Sequence, residues 1–248
     1  MERSRAYLIG RLAGKQFRKA KWIWESATGS DEDAIRAEHG VGRDMAAVVR
    51  EQAGGAGDPA AQALLDEISP VLADRVGNRA HRFEVAALPG GAPTAFALPG
   101  GFIFVAPALV ELAGRDRDEL AFVVAHEMAH VIRRHAVDRL LRELGHKALS
   151  AVSLATPATR TIAPWLRSVG VRWLEQAYSR ELEFEADELG ARLMRAAGFD
   201  PAAALRMLQR LGDLDAQADP LGLGGYLSTH PPVPDRIRHV RERLGLGV

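Results

Sequence analysis

The segment HEMAH places two histidines four residues apart with a glutamate between them, at His126, Glu127 and His130. On a helix, residues four apart lie one above the other, so the two imidazoles can each give a nitrogen to one zinc ion. Glu127 is turned about 100° around the helix, where its carboxylate can reach a water on that metal. Zinc with an open fourth position lowers the pKa of its water to roughly 7, and a nearby carboxylate can take the proton. The spacing therefore predicts the chemistry of peptide hydrolysis.

The helix that carries this motif is predicted to be buried. The run 120–132 (LAFVVAHEMAHVI) is apolar on most sides. Buried imidazole and carboxylate groups are costly without partners, and a metal ion supplies partners to all three. The alternative, in which the histidines are ordinary polar residues of a helix, leaves that cost uncompensated. We expect Asp116 or Asp118 to cap the start of the helix and the helix to run to about Gly145.

A second helix is predicted in the stretch 178–194 (YSRELEFEADELGARLM), where Glu183 and Asp187 are four apart and share a face. A catalytic zinc takes three protein ligands, and a crossing helix can deliver a carboxylate as the third. Asp187 can then accept the N–H of a ligand histidine. Taken alone, the acidic composition of this helix favours a surface position for Glu183. Its other acids are expected to be solvated charges: Glu181, Glu185 and Glu188.

Several motifs in one order resemble a known family. HEMAHVIRRH and SRELEFEAD together look like the gluzincin zinc metallopeptidases that include HtpX-like, BepA-like and prenyl-protein (CAAX) endopeptidases. The match extends to AGFDP at 197–201 and to THPP at 229–232, which is followed by the tripeptide DRI at 235–237. The resemblance covers roughly residues 43 to 245, and the chain is similar to a soluble, single-domain version of the family.

The resemblance implies an activity and a set of site residues. Glu183 is the expected third ligand, so that one Zn²⁺ per chain is held by His126, His130 and Glu183. Asp187 is expected behind a ligand histidine, and Glu127 is expected to be the general base. The implied function is that of a zinc metalloendopeptidase that cleaves extended segments, including those of misfolded proteins.

Three residues outside the expected ligand set are also candidates for a place near the site. His230 is by sequence a surface loop histidine, but the resemblance implies that it faces the cleft. There it is either a transient fourth ligand or a donor to the oxyanion of the transition state. Arg236 is predicted either to contact the same region or to form a structural ion pair. His135 lies nine residues, or two and a half turns, after His126, so we expect it to face away from the ligands, in a supporting or structural position.

A small sheet is predicted beside the H-E-x-x-H helix. Asp58–Pro59 should open a helix to about Val76, residues 81–88 read as a strand, and residues 96–105 read as two short strands joined by a tight turn at 99–101. The fold class is therefore α+β, mainly α-helical, and zincin-like. Turn-rich pieces between residues 26 and 58 are expected to flank a short helix, 44–52.

The predicted hairpin has two open interpretations. In zinc peptidases an edge strand near the zinc helix commonly holds the substrate in extended form through main-chain hydrogen bonds. In the family the corresponding stretch is N-A-F-A-x-P-G-G, and here Thr94 stands where asparagine is usual. We therefore transfer the strand but not a side-chain role, and a purely structural hairpin remains the alternative.

Length and composition limit the remaining possibilities. The 248 residues favour a zinc metallopeptidase domain over 43–248 with a basic and aromatic N-terminal appendage over 1–42. The formal net charge of zero gives no argument for nucleic acid, and the absence of cysteine leaves histidine and carboxylate as zinc ligands. No apolar stretch approaches about 18 residues, so we expect a soluble, cytoplasmic protein, with a periplasmic or membrane-peripheral location as alternatives.

The expected partner is a protein or peptide substrate, and the oligomeric state is left open. Residues 1–25 can form an amphipathic membrane or docking helix, or a basic helix packed on the domain, and residues 146–172 are a second candidate for membrane contact. An alternative function is a metal-regulated chaperone or binding module in which the His230 loop closes the metal site. An intact Glu127 argues against it. A purely structural zinc protein would require four fixed ligands.

Overall fold

The computed structural model describes residues 31–139, 178–216 and 233–245. In chain order these residues form α1 (Asp31–Ala53), α2 (Pro59–Ala73), β1 (Glu84–Ala87), β2 (Ala95–Ala97), a 3-10 turn (Pro99–Gly101), β3 (Phe102–Val105), α3 (Pro107–Leu112), α4 (Arg117–Ile132), α5 (Arg180–Ala196), α6 (Ala203–Ala216) and α7 (Val233–Leu244). The predicted fold class, α+β and mainly α-helical with a small sheet, is confirmed.

The sheet has the strand order β1-β3-β2, with β1 parallel and β2 antiparallel to β3. The predicted hairpin is confirmed, because β2 and β3 pair through Phe96 and Phe104 across the 3-10 turn. Gly101 makes that turn possible. Its φ is 98°, and a Cβ on it would lie 1.8 Å from the Arg82 carbonyl oxygen, so both the conformation and the space require glycine.

Side chains alternate between two cores on the two faces of the sheet. One face, which includes Ile103 and Val105, contributes to the larger core with residues of α2, α4 and α6. The opposite face, which includes Phe102 and Phe104, packs on the buried side of α1. Because all four residues of β3 are buried, this central strand fixes the sheet between the helices and holds β2 against α4.

The outer edge of β1 has its backbone hydrogen-bonding groups paired by a side chain. In β1 the outward-facing backbone groups belong to Val85 and Ala87, since Leu88 bonds to β3. The Gln62 amide of α2 covers both: its nitrogen donates to the Val85 oxygen at 3.0 Å, and its oxygen accepts from the Ala87 nitrogen at 2.7 Å. This side chain therefore takes the place of a neighbouring strand along β1.

Helix α4 is buried around its whole circumference. Asp116 caps it by accepting hydrogen bonds from the backbone nitrogens of residues 118 and 119, and every residue from 119 to 131 is buried. The prediction that this helix continues to about residue 145 is wrong. It ends at Ile132, because Arg134 adopts a left-handed conformation with φ of 61°, and the chain becomes helical again only at 135–139.

The prediction for residues 26–58 is also wrong where the structure describes them. Instead of turns around a short helix, α1 is continuous from Asp31 to Ala53. Gly42 serves close packing rather than a turn, because a Cβ on it would lie 1.8 Å from the Pro99 carbonyl oxygen. The boundary predicted between residues 42 and 43 falls inside this helix, and the two-part domain division stays a prediction.

Among the described helices, none is both long enough and apolar enough to cross a bilayer. The two segments proposed for membrane contact, 1–25 and 146–172, lie outside the described residues. His230 and the THPP loop also lie outside them.

Candidate metal centre

Helix α4 presents the two histidines of the motif side by side. Their Nε2 atoms are 3.1 Å apart, and both side chains are fully buried. A spacing of four residues on a regular helix produces this arrangement.

Helix α5 crosses α4 and adds the carboxylate. Glu183 places Oε2 3.6 Å from the Nε2 of His126 and Oε1 3.5 Å from the Nε2 of His130. The crossing is close because Gly190 lies at the contact, where a Cβ would be 3.0 Å from the His126 backbone nitrogen. Glu183 is therefore not a surface acid, as the composition of its helix taken alone would favour.

The donor set suits a zinc ion. Ligands about 2.0–2.2 Å from a tetrahedral zinc lie roughly 3.3–3.6 Å from one another. The three separations between His126, His130 and Glu183 are 3.1, 3.5 and 3.6 Å. Two imidazoles and one carboxylate are also the composition of many catalytic zinc sites. Within the residues described, this is the one group of metal-binding side chains whose donor atoms converge.

Asp187 supports His126 from behind. Its Oδ1 lies 2.9 Å from the His126 Nδ1, so the imidazole can donate there while its Nε2 faces the cluster. Arg236 of α7 in turn holds Asp187 with two hydrogen bonds of 2.8 and 2.7 Å, and its Nη1 lies 3.4 Å from Glu183. Arg236 is fully buried. The two interactions that the sequence left open for Arg236, contact with the site and an ion pair, occur together.

Burial and the charge of Arg236 shift the pKa values of Glu183 and Asp187 in opposite directions. Burial raises the pKa of the Glu183 carboxyl, although Arg236 opposes the effect. Burial alone would also raise the pKa of Asp187, but the charge and hydrogen bonds of Arg236, with the hydrogen bond to His126, hold it well below its usual range. Asp187 is therefore a fixed anion behind His126.

Glu127 directly follows His126 in α4, is buried, and contacts the backbone of β2. Burial, reinforced by the negative charge of Glu183, raises the pKa of Glu127 to about 8. Its carboxylate also accepts a hydrogen bond from the backbone of Ala97 in β2. The prospective base thus touches β2, the strand for which a substrate-binding edge and a structural hairpin were the two open interpretations.

His135 does not face away from the site, and that prediction is wrong. Its Nδ1 lies 2.9 Å from the Nδ1 of His130, and the residue is 2% exposed. The turn at Arg133 and Arg134 breaks the helix. The direction of the His135 side chain therefore no longer follows from counting two and a half helical turns after His126. Burial lowers the pKa of His135 to about 4, which leaves the ring neutral at pH 7.

Sequence reasoning missed two other neighbours of the site. The Tyr178 ring stacks on the His130 ring with centroids 4.2 Å apart. The guanidinium carbon of Arg139 lies 4.0 Å from the centroid of the Tyr178 ring, and Arg139 donates a hydrogen bond of 2.5 Å to the Tyr178 hydroxyl. The only available signal was that Tyr178 directly precedes the SRELE motif.

An H-E-x-x-H helix completed by a glutamate from a second helix defines a gluzincin-type metal centre. The model of Peptidase family M48 matches residues 59–244. The chain belongs to this family, as the resemblance of its motifs implied.

Named relatives agree with this assignment. The chain is 33% identical over 165 residues to the mitochondrial metalloendopeptidase OMA1 of Schizosaccharomyces pombe. The aligned residues cover 66% of this chain and 47% of that protein. It is 30% identical over 197 residues to a putative beta-barrel assembly-enhancing protease of Vibrio cholerae, covering 70% of this chain and 39% of that protein. This chain spans less than half the length of these relatives.

Proposed function

We propose that this chain is a zinc-dependent metalloendopeptidase that hydrolyses peptide bonds in extended protein segments. The observation that carries the proposal is the convergence of His126, His130 and Glu183 beside Glu127 at ligand distances suited to zinc. Membership of a peptidase family and relatives named as metalloendopeptidases support it.

Different side chains would bind the metal, transfer the proton and orient a ligand during hydrolysis. One Zn²⁺ bound by the two histidines and Glu183 would activate a water and polarise the scissile carbonyl. Glu127 would take a proton from the attacking water at a carboxylate oxygen and pass it to the leaving nitrogen. Burial raises the pKa of Glu127, and the positive charge of a bound zinc ion would oppose that shift and favour the carboxylate that accepts the proton. Asp187 and Arg236 would keep His126 oriented.

The edge of β2 is the proposed substrate platform. The carbonyl of Thr94 and the nitrogen of Leu98 bond towards β3, so by alternation the backbone groups of Ala95 and Ala97 point outward. Ala97 meets Glu127 on that side. A peptide added along this edge would bring its backbone past the base, with affinity that depends little on sequence. The other outer strand, β1, has its outward backbone groups bonded by Gln62. Ala95 and Ala97 of β2 are only 0% and 2% exposed, so pairing of a peptide along β2 would require the residues that cover this edge to move aside.

The proposed substrate class and the predicted location rest on the sequence. Extended segments of misfolded proteins are the proposed substrates, as the motif resemblance implies. The prediction that the chain does not bind nucleic acid rests on its zero net charge. A cytoplasmic location stays a prediction, as do membrane contact through residues 1–25 or 146–172 and a role for His230 beside the metal. The name of the fission-yeast relative gives a mitochondrial location for that protein.

The decisive experiment compares casein cleavage by the wild type and by Glu127→Gln, with the zinc content of both proteins measured. Glutamine keeps the shape but cannot accept the proton, so we expect equal zinc content and cleavage reduced by about 10²–10⁴-fold. Equal cleavage by two zinc-loaded proteins would contradict the proposed role. Zinc binding without cleavage by the wild type would instead favour a metal-regulated binding module.

A further inference from the structure

We propose that His135 is a positioning residue of the metal centre, whose Nδ1 accepts the Nδ1–H of His130 and so fixes the ring of that ligand. The proposal deepens the proposed function and rests on it only in taking the histidine–glutamate cluster as a metal site. It assigns a role to a residue outside the H-E-x-x-H and glutamate motifs.

The ring orientation of His130 determines which nitrogen carries a hydrogen. Its Nε2 faces the cluster, 3.1 Å from the His126 Nε2 and 3.5 Å from the Glu183 Oε1. A nitrogen that binds a metal must be unprotonated, so the hydrogen of a neutral His130 lies on Nδ1. That nitrogen is 2.9 Å from the Nδ1 of His135, which must then be the acceptor.

Glu185 in turn faces the other ring nitrogen of His135. If the Nδ1 of His135 accepts, the ring hydrogen of neutral His135 lies on Nε2. Glu185 of α5 places its Oε2 3.5 Å from that atom, and its Oε1 pairs with Arg133 at 2.9 Å. Arg133 and His135 stand on either side of Arg134, whose left-handed conformation turns the chain back towards the cluster. The kink therefore serves to place this acceptor.

The two ligand histidines thus have matching support. His126 is backed by Asp187 and then by Arg236 on α7, entirely within the protein. His130 is backed by His135 and then by Glu185, whose side chain is 42% exposed. Partners of this kind fix the tautomer of a ligand histidine, and their loss typically weakens metal binding about 10–100-fold.

Two substitutions of similar shape separate hydrogen bonding from packing. In His135→Asn the side-chain oxygen can occupy the place of Nδ1 and accept the same hydrogen bond, whereas His135→Leu fills the space without an acceptor. We expect His135→Leu to weaken zinc affinity by about 10–100-fold and His135→Asn to stay within about threefold of the wild type. Affinity is measured by competition with a chelating dye, and coordination by the visible spectrum of the Co²⁺-substituted protein.

The cobalt spectrum should change in His135→Leu and match the wild type in His135→Asn. Equal losses in the two variants would show that His135 only fills space, and wild-type affinity and spectrum in both would remove its role altogether; either result overturns the proposal. Thermal unfolding of the metal-free proteins shows whether both variants fold. On α5, Glu185→Ala is expected to reduce zinc affinity by a few-fold, with Glu181→Ala as the matched control that leaves it unchanged.

These measurements do not depend on peptide cleavage. If the wild type fails to cleave casein but the two His135 variants differ in zinc affinity as expected, the proposed function fails and the positioning role stands. If the wild type cleaves casein and His135→Leu binds zinc as tightly as the wild type, the positioning role fails and the proposed function stands.

Discussion

Gly190 of α5 packs directly on the backbone of His126 in α4, where a Cβ would come 3.0 Å from the nitrogen and 3.1 Å from the Cα. This contact sets the separation of the two helices that supply the metal ligands. A glycine in the middle of a helix costs roughly 0.5–1 kcal/mol relative to alanine. Gly190 therefore allows α4 and α5 to approach closely, at some cost to the stability of α5.

We predict that Gly190→Ala separates the two helices and harms both folding and metal binding. The extra methyl group meets rigid backbone, so the free energy of unfolding should fall by about 1–3 kcal/mol. Zinc affinity should fall with it, because Glu183 moves away from the histidines. Chemical denaturation and dye competition measure the two effects.

Gly40→Ala is the matched control for this prediction. Gly40 lies within α1 with nothing within 4 Å of a built Cβ, so alanine should raise stability by about 0.5–1 kcal/mol. A similar gain in Gly190→Ala would show that the crossing has room to adjust, contrary to the prediction.

Removal of Arg236 is predicted to leave Asp187 as an uncompensated buried charge. Arg236→Met keeps most of the apolar side chain, and it should lower the stability of the metal-free protein by about 3–5 kcal/mol. Arg238→Met on the same helix, at a position 69% exposed, should change it by no more than about 0.5 kcal/mol.

A double substitution tests the physical reason for this effect. Adding Asp187→Asn to Arg236→Met removes the buried charge, so part of the lost stability should return. Urea titrations of the four proteins give the coupling energy. If the double variant is as unstable as the sum of the two single variants, the loss comes from packing and not from charge.

Metal removal should abolish cleavage while the fold persists. Both cores lie outside the ligand cluster, on the two faces of the sheet, so the metal-free protein should keep its helical circular dichroism. Its melting temperature should still fall, because a ligand that binds only the folded state adds stability. Zinc should restore cleavage and Ca²⁺ should not. Global unfolding on chelation would support a structural zinc site instead.

Gln62 is predicted to protect β1 from pairing with other chains. Gln62→Met keeps the length of the side chain but exposes the Val85 carbonyl and the Ala87 N–H, so self-association should increase with protein concentration. Light scattering after size exclusion measures it. Gln209→Met, on the exposed surface of α6, should remain like the wild type; equal association in both would point to the added methionine rather than to the strand edge.

Residue spacing predicted the parts of the site that lie within regular helices. His126 and His130 followed from one turn of α4, and the motif resemblance indicated Glu183. His135 could not be placed, because a left-handed arginine at position 134 has no reliable sequence signal. Likewise, Gly42 suggested a turn, since a sequence does not distinguish a glycine needed for a turn from one needed for close packing against Pro99. Both misses depend on tertiary contacts.

The unequal edges of the sheet also limit how copies of this chain can assemble. Growth of a filament by strand pairing needs two complementary edges on every subunit, one to give and one to receive. With Gln62 occupying β1, two copies joined through β2 would form a closed pair with no edge left to extend. Pairing of two copies through β2, the proposed substrate platform, would therefore stop at a dimer and would not polymerise the protein.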